Sequence, residues 1–138
     1  MTVLAIIGVL VAIVLLVLFV NYANEYSDRE FHYEIFNITT FSIIAIGYVF
    51  IYFGEGSYNS ALMHEGDLLN GILLMIIGAF LVIVGVFINI INTNLKFGIA
   101  MSVVQLILYA PLAVVAVFTL IMMVAALMQT KPVYNLND

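Results

Sequence analysis

Every charged side chain in this chain lies at the edge of, or between, four long apolar blocks. The uncharged stretches run from Met1 to Asn24, Ile35 to Gly54, Leu68 to Leu95 and Phe97 to Thr130. A bilayer crossing needs about 20 apolar residues, and each stretch supplies them. Of the 138 residues, 66% are hydrophobic and 8% are charged. A soluble domain carries about 25% charged residues, so a water-filled exterior cannot accommodate this composition. The pattern predicts an all-α integral membrane protein: a four-span antiparallel transmembrane helix bundle in one domain over residues 1–138. The spans fall at about residues 3–22, 35–53, 68–91 and 97–129.

The same charge pattern narrows function. No Asp, Glu, Lys, Arg or His lies deep inside a span, so the usual marks of proton relays, ion-coupled carriage and intramembrane catalysis are missing. With no cysteine, thiolate metal sites and cysteine nucleophiles are excluded. Three basic residues, Arg29, Lys96 and Lys131, give no electrostatic footprint for nucleic acid. Walker, HExxH, serine-elbow and dinucleotide fingerprints do not occur. The expectation is therefore no enzyme, no catalytic residue, no cofactor and no metal. The first block reads as a span and not a signal peptide, because it has no basic start and the apolar run from Val3 to Val20 is too long.

Within the blocks, two glycine rows stand out. Span three carries Gly71, Gly78 and Gly85, and span two carries Thr40, Gly47 and Gly54. A spacing of seven returns to nearly the same helix face. Small residues there let backbones approach closely, which is how helices associate in lipid. Run in opposite directions, the rows can meet as Thr40 with Gly85, Gly47 with Gly78 and Gly54 with Gly71. The alternative turns the span-three row outward as an oligomer seam. Span one has a similar small face at Ala5, Gly8 and Ala12.

Span four holds a polar row on an otherwise apolar helix: Gly98, Ser102, Gln105 and Tyr109, continued by Leu112, Ala116 and Thr119. Two readings follow. The row forms hydrogen bonds between helices, or it lines a pore with Gln105 as the polar contact and Leu112 as an apolar gate. The span is also overlong, at about 51 Å for a 1.5 Å rise per residue against a hydrocarbon core of about 30 Å. Pro111 near its middle predicts a kink.

The polar connections carry little chemistry. The first, residues 25–34, reads as a loop whose Glu25, Asp28, Arg29, Glu30 and Glu34 suit docking of a soluble partner. His32 and His64 fall on opposite faces in this topology and read as solvated. The Asn37-Ile38-Thr39 sequon lies inside an apolar block, where its hydroxyl and amide groups serve hydrogen bonding better than glycosylation. Basic residues favour loops one and three in the cytoplasm and both termini outside, in a bacterial inner membrane. The tail from Lys131 reads as short, polar and frayed.

These features point to a small non-enzymatic polytopic membrane protein. It would oligomerise, or anchor or sense for a membrane complex, with a bacterial stress or phage-defence system as the expected setting. Its expected partners are the lipid bilayer, further copies or other membrane subunits, and a soluble protein. The alternative is a homo-oligomeric pore, holin-like or ion-conducting, lined by the span-four row.

Overall fold

The computed structural model describes residues 1–129, so Thr130 and the tail from Lys131 lie outside the described residues. Four helices follow in order: α1 (Thr2–Phe31), α2 (Ile38–Met63), α3 (Leu69–Asn92) and α4 (Leu95–Gln129). All four are long and apolar enough to cross a membrane. Helix is the natural outcome in lipid, because it satisfies every backbone N–H and C=O within the segment.

The helices outrun the apolar spans. α1 continues seven residues past Asn24 to Phe31, so Glu25, Asp28, Arg29 and Glu30 stand on helix and not on a loop. α2 runs on to Met63, well past Glu55. Charge marks where a chain leaves lipid; it does not end a helix, and Glu and Arg are good helix formers. The ends are set by local chemistry. His32 closes α1 in the left-handed region at φ 54° and donates its backbone N–H to the Asp28 carbonyl. Asn37 caps α2 by accepting from the Thr40 N–H at 2.9 Å. Asn94 accepts from the Phe97 N–H at 2.8 Å and starts α4.

α2 and α3 form the most extensive pair. A methyl group added at Gly78 would lie 2.5 Å from the Gly47 carbonyl oxygen, and one at Gly54 would lie 2.8 Å from the Gly71 carbonyl oxygen. Partners fall along α3 as they rise along α2. Hydrogen on the glycine Cα is the only substituent this backbone approach accepts. The third meeting differs from the one the spacing predicts. Gly85 takes the Ile44 side chain, with an added methyl 2.6 Å from its Cγ1. Thr40 sits one turn further on, where its hydroxyl bonds to the Asn37 cap at 3.1 Å. Ile44 fills the space that a third small residue would have left open.

α4 packs on both α2 and α3. Its buried positions are Gly98, Ser102, Gln105, Tyr109 and Ala113. α1 is the loosest member: every residue from Met1 to Phe19 is exposed. It meets the rest near its end, where Phe19 lies edge-on to Phe36 and both Tyr26 and Phe31 pack on Phe97. Two open apolar grooves result. One, of about 510 Å³, separates α1 from the start of α2 and the middle of α4. The other, of about 440 Å³, separates α2 from the later half of α4.

Candidate functional site

The most concentrated chemistry in the fold is a buried polar cluster where the α1–α2 link, the end of α3 and the first half of α4 meet. It grows from one problem. Residues 32–37 are not helical, yet Ile35 is fully buried. A non-helical backbone inside a membrane protein must find partners in neighbouring side chains. Asn24 supplies two of them. Its Oδ1 accepts from the Phe36 N–H at 2.7 Å, and its Nδ2 donates to the Phe36 carbonyl at 3.0 Å. Gln105 supplies a third: its Nε2 donates to the Ile35 carbonyl at 2.5 Å.

Gln105 is in turn held by α3. Asn89 Nδ2 donates to Gln105 Oε1 at 2.5 Å and to Ser102 Oγ at 2.9 Å. The Tyr33 hydroxyl donates to Asn89 Oδ1 at 3.3 Å and accepts from Asn37 Nδ2 at 3.0 Å. Asn37 also reaches the Glu34 carbonyl at 2.7 Å. Gln105, Asn89 and Thr40 are each 0% exposed. Their amides are saturated within one protomer, so the cluster closes on itself. A network with every member bonded fixes a unique arrangement, whereas a partly bonded one would be costly.

The row on α4 therefore divides. Gly98, Ser102, Gln105 and Tyr109 point inward, and the buried line then continues to Ala113. Leu112 and Thr119 are exposed and Ala116 is half-buried. A step of three from Tyr109 to Leu112 leaves the packed face, while a step of four to Ala113 stays on it. Thr119 turns its hydroxyl back to the Val115 carbonyl at 2.8 Å. Gly98 is pressed against α3, where an added methyl would lie 2.8 Å from the Ile90 Cα.

The six helix-packing positions Thr40, Gly47, Gly54, Gly71, Gly78 and Gly85 are all buried, the five glycines where α2 meets α3 and Thr40 against the Asn37 cap and the Ile35 carbonyl. Of the seam residues between the α3 glycines, Met75 lies against Gly54 and Val82 against Gly47. The acidic group lies elsewhere. Glu25, Asp28, Arg29, Glu30 and Glu34 are all exposed, with Glu25 and Arg29 paired one turn apart. The Asn24 clamp and the Phe97 ring hold this end of α1 in place beneath them.

Spacing alone does not reveal three participants: Asn24, Tyr33 and the Ile35 carbonyl. Asn24 closes the first uncharged block and looks like a boundary residue. Tyr33 lies in what reads as a solvated loop. A carbonyl has no sequence signature at all.

The chain matches no protein-family model, no curated protein and no solved structure.

Proposed function

We propose that this protein is a non-enzymatic membrane anchor whose rigid end presents the acidic last turns of α1 to a soluble partner. One observation carries the reading. Glu25, Asp28, Arg29 and Glu30 are exposed on a helix end fastened by the Asn24–Phe36 clamp and the Tyr26, Phe31 and Phe97 rings, and Glu34 is exposed on the link that follows. A pre-ordered charged surface binds without the cost of ordering it first. Opposite charge on a partner would speed and orient the encounter.

The wider architecture belongs to the same proposal. Opposed contact order in α2 and α3 supports an antiparallel bundle. Pro111 removes the N–H that the Ile107 carbonyl would accept in a regular helix. The Tyr48 hydroxyl donates to the adjacent Leu106 carbonyl at 2.8 Å. Both features support a bend in α4 at that point. A pore lined by the α4 row would require Ser102 and Gln105 to leave Asn89 and the Ile35 carbonyl and turn outward.

The test uses the whole chain extracted with its native lipid. Reversing Asp28 and Glu30 to Lys should abolish recovery of a stoichiometric soluble partner while leaving amide exchange at Phe36 unchanged. Purified chain in liposomes should pass no ions. Ion flux that responds to Gln105→Glu would overturn the anchor reading in favour of a pore.

A further inference from the structure

Two rows of small residues continue from the groove between α1 and α4. Phe19 lies edge-on to Phe36 and Tyr26 packs on Phe97, so that face of α1 looks into the protomer. Ala23 and Ser27, one turn apart beside it, are buried. Steps of seven carry the same face back from Phe19 to Ala12 and Ala5, and a step of four from Ala12 adds Gly8. These three are exposed, and nothing lies within 4 Å of a methyl added at Gly8. The inward face of α1 is therefore packed at one end and bare at the other.

α4 shows the complementary pattern. Leu112, Val115 and Ala116 line the groove together with Leu16 of α1. Steps of seven take Leu112 to Thr119 and Ala126, and Ala116 to Met123, so the row continues past the groove on the same face. Thr119, Met123 and Ala126 are exposed. Contacts run in opposite order along the two helices: Tyr26 and Phe31 meet Phe97 near the start of α4, while Leu16 shares the groove with Val115 further on. With Leu16 level with Val115, the same register brings Ala12 to Thr119, Gly8 to Met123 and Ala5 to Ala126.

We infer that α1 is an arm that closes on the later half of α4 within one protomer, with those three pairs as its seat. Small residues let helix backbones approach closely, and such packing drives helix association in lipid. Gly8 leaves a hollow, and the unbranched Met123 side chain adapts to fill it. The pivot is the fastened end of α1. There the Ser27 hydroxyl is buried without a hydrogen-bond partner, the one such side-chain atom among the described residues. A buried hydroxyl left unbonded costs stability in the present tilt of α1, which a rotation about this end can relieve. Continuity with the packed Phe19 and Tyr26 argues against a second copy on this row. A second copy would have to wedge between α1 and α4 to reach either row, because both continue from one groove. Lipid chains in that wedge would forgo the close backbone contact that both rows permit.

The chain has no cysteine, so an introduced pair reports alone. The full-length Ala12→Cys, Thr119→Cys variant is placed in phosphatidylcholine liposomes at low protein-to-lipid ratio and oxidised with copper phenanthroline. A disulfide needs the two Cα atoms within about 7 Å, so it forms only when the arm is closed. The expected product is a bridge within a single chain, seen as a faster-migrating monomer that reverts on reduction. It should form at least about tenfold faster than in Val14→Cys, Thr119→Cys, whose first thiol is two residues on and faces away. Adding Gly8→Leu to the first pair should slow the bridge, because the row is then no longer small. Bridges that join two chains, in the pair or in Ala12→Cys alone, would mean that a second copy covers the row. A pair no faster than its control would mean that lipid keeps the arm open. Either result overturns the inference without touching the anchor reading, which rests on the exposed acids at the other end of α1.

Discussion

Replacing Gln105 with Leu tests the buried cluster at its centre. Leucine is similar in size and more apolar, so packing volume changes little. What is lost is specific. Gln105 Nε2 no longer reaches the Ile35 carbonyl, and Asn89 Nδ2 loses the Oε1 acceptor. The contact to the Tyr109 hydroxyl, at 3.4 Å, is long and contributes little. Hydrogen bonds within membrane proteins average about 0.6 kcal/mol and reach about 1.7 kcal/mol. The Ile35 carbonyl is then left buried with only the Thr40 hydroxyl near it, at 3.5 Å. An unsatisfied buried acceptor costs about 1–3 kcal/mol. Asn89 keeps its bond to Ser102, which limits the damage on the α3 side. The leucine gains some burial in return. The net expectation is a loss of about 2 kcal/mol, close to 30-fold in the folding equilibrium.

Steric trapping in bicelles measures that stability directly, and site-resolved amide exchange locates the change. The Phe36 N–H, now held by Asn24, should exchange faster as the link loosens, while amides between Gly47 and Gly54 stay protected. A Gln105→Leu variant within about 0.5 kcal/mol of the parent, with Phe36 unchanged, would refute the view that this side chain secures the link.

Four other substitutions probe separate parts of the account. Gly78→Ala puts a methyl 2.5 Å from the Gly47 carbonyl oxygen and 2.8 Å from the Ile51 N, so α2 and α3 must part, at about 1–3 kcal/mol by steric trapping. Gly8→Ala, with nothing within 4 Å of the new methyl, should leave stability equal or slightly higher in the same assay. Asn24→Ala removes both bonds to the Phe36 backbone; it should cost about 1–3 kcal/mol and raise exchange at Phe36, with α2–α3 protection intact. Tyr48→Phe deletes the bond to the Leu106 carbonyl and should cost about 0.6–1.7 kcal/mol, measured against the parent in the same bicelles.

Membrane spans are legible in this chain because lipid imposes one rule on every residue at once. A charge-free run of about 20 residues has few other uses. Helix ends are less legible. Asn24 and Glu25 mark a change of solvent, yet α1 continues to Phe31 because nothing there breaks a helix. The glycine rows are visible because a period of seven is a property of one helix at a time. Their partners depend on two helices, and Ile44 filling the space at Gly85 is a packing solution that periodicity does not encode. The α4 row shows a similar division. Ser102 and Gln105 are conspicuous as polar residues in an apolar block. Their use is a tertiary fact with no local trace: Gln105 holds the backbone of a link seventy residues earlier, and Ser102 accepts from Asn89 on α3.

The central claim is that the polar residues of α4 serve the interior of one protomer and see no water path. The chain has no native cysteine, so a single Ser102→Cys variant carries the only thiol. Its reaction rate with a membrane-impermeant, charged thiol reagent is the most direct measurement, with Asp28→Cys as the exposed reference. Ser102 is 2% exposed and packed beside Asn89. The account predicts rapid labelling at position 28 and none at position 102 from either side of the membrane. Labelling at position 102 at a rate comparable to position 28 would place that face in water and contradict it.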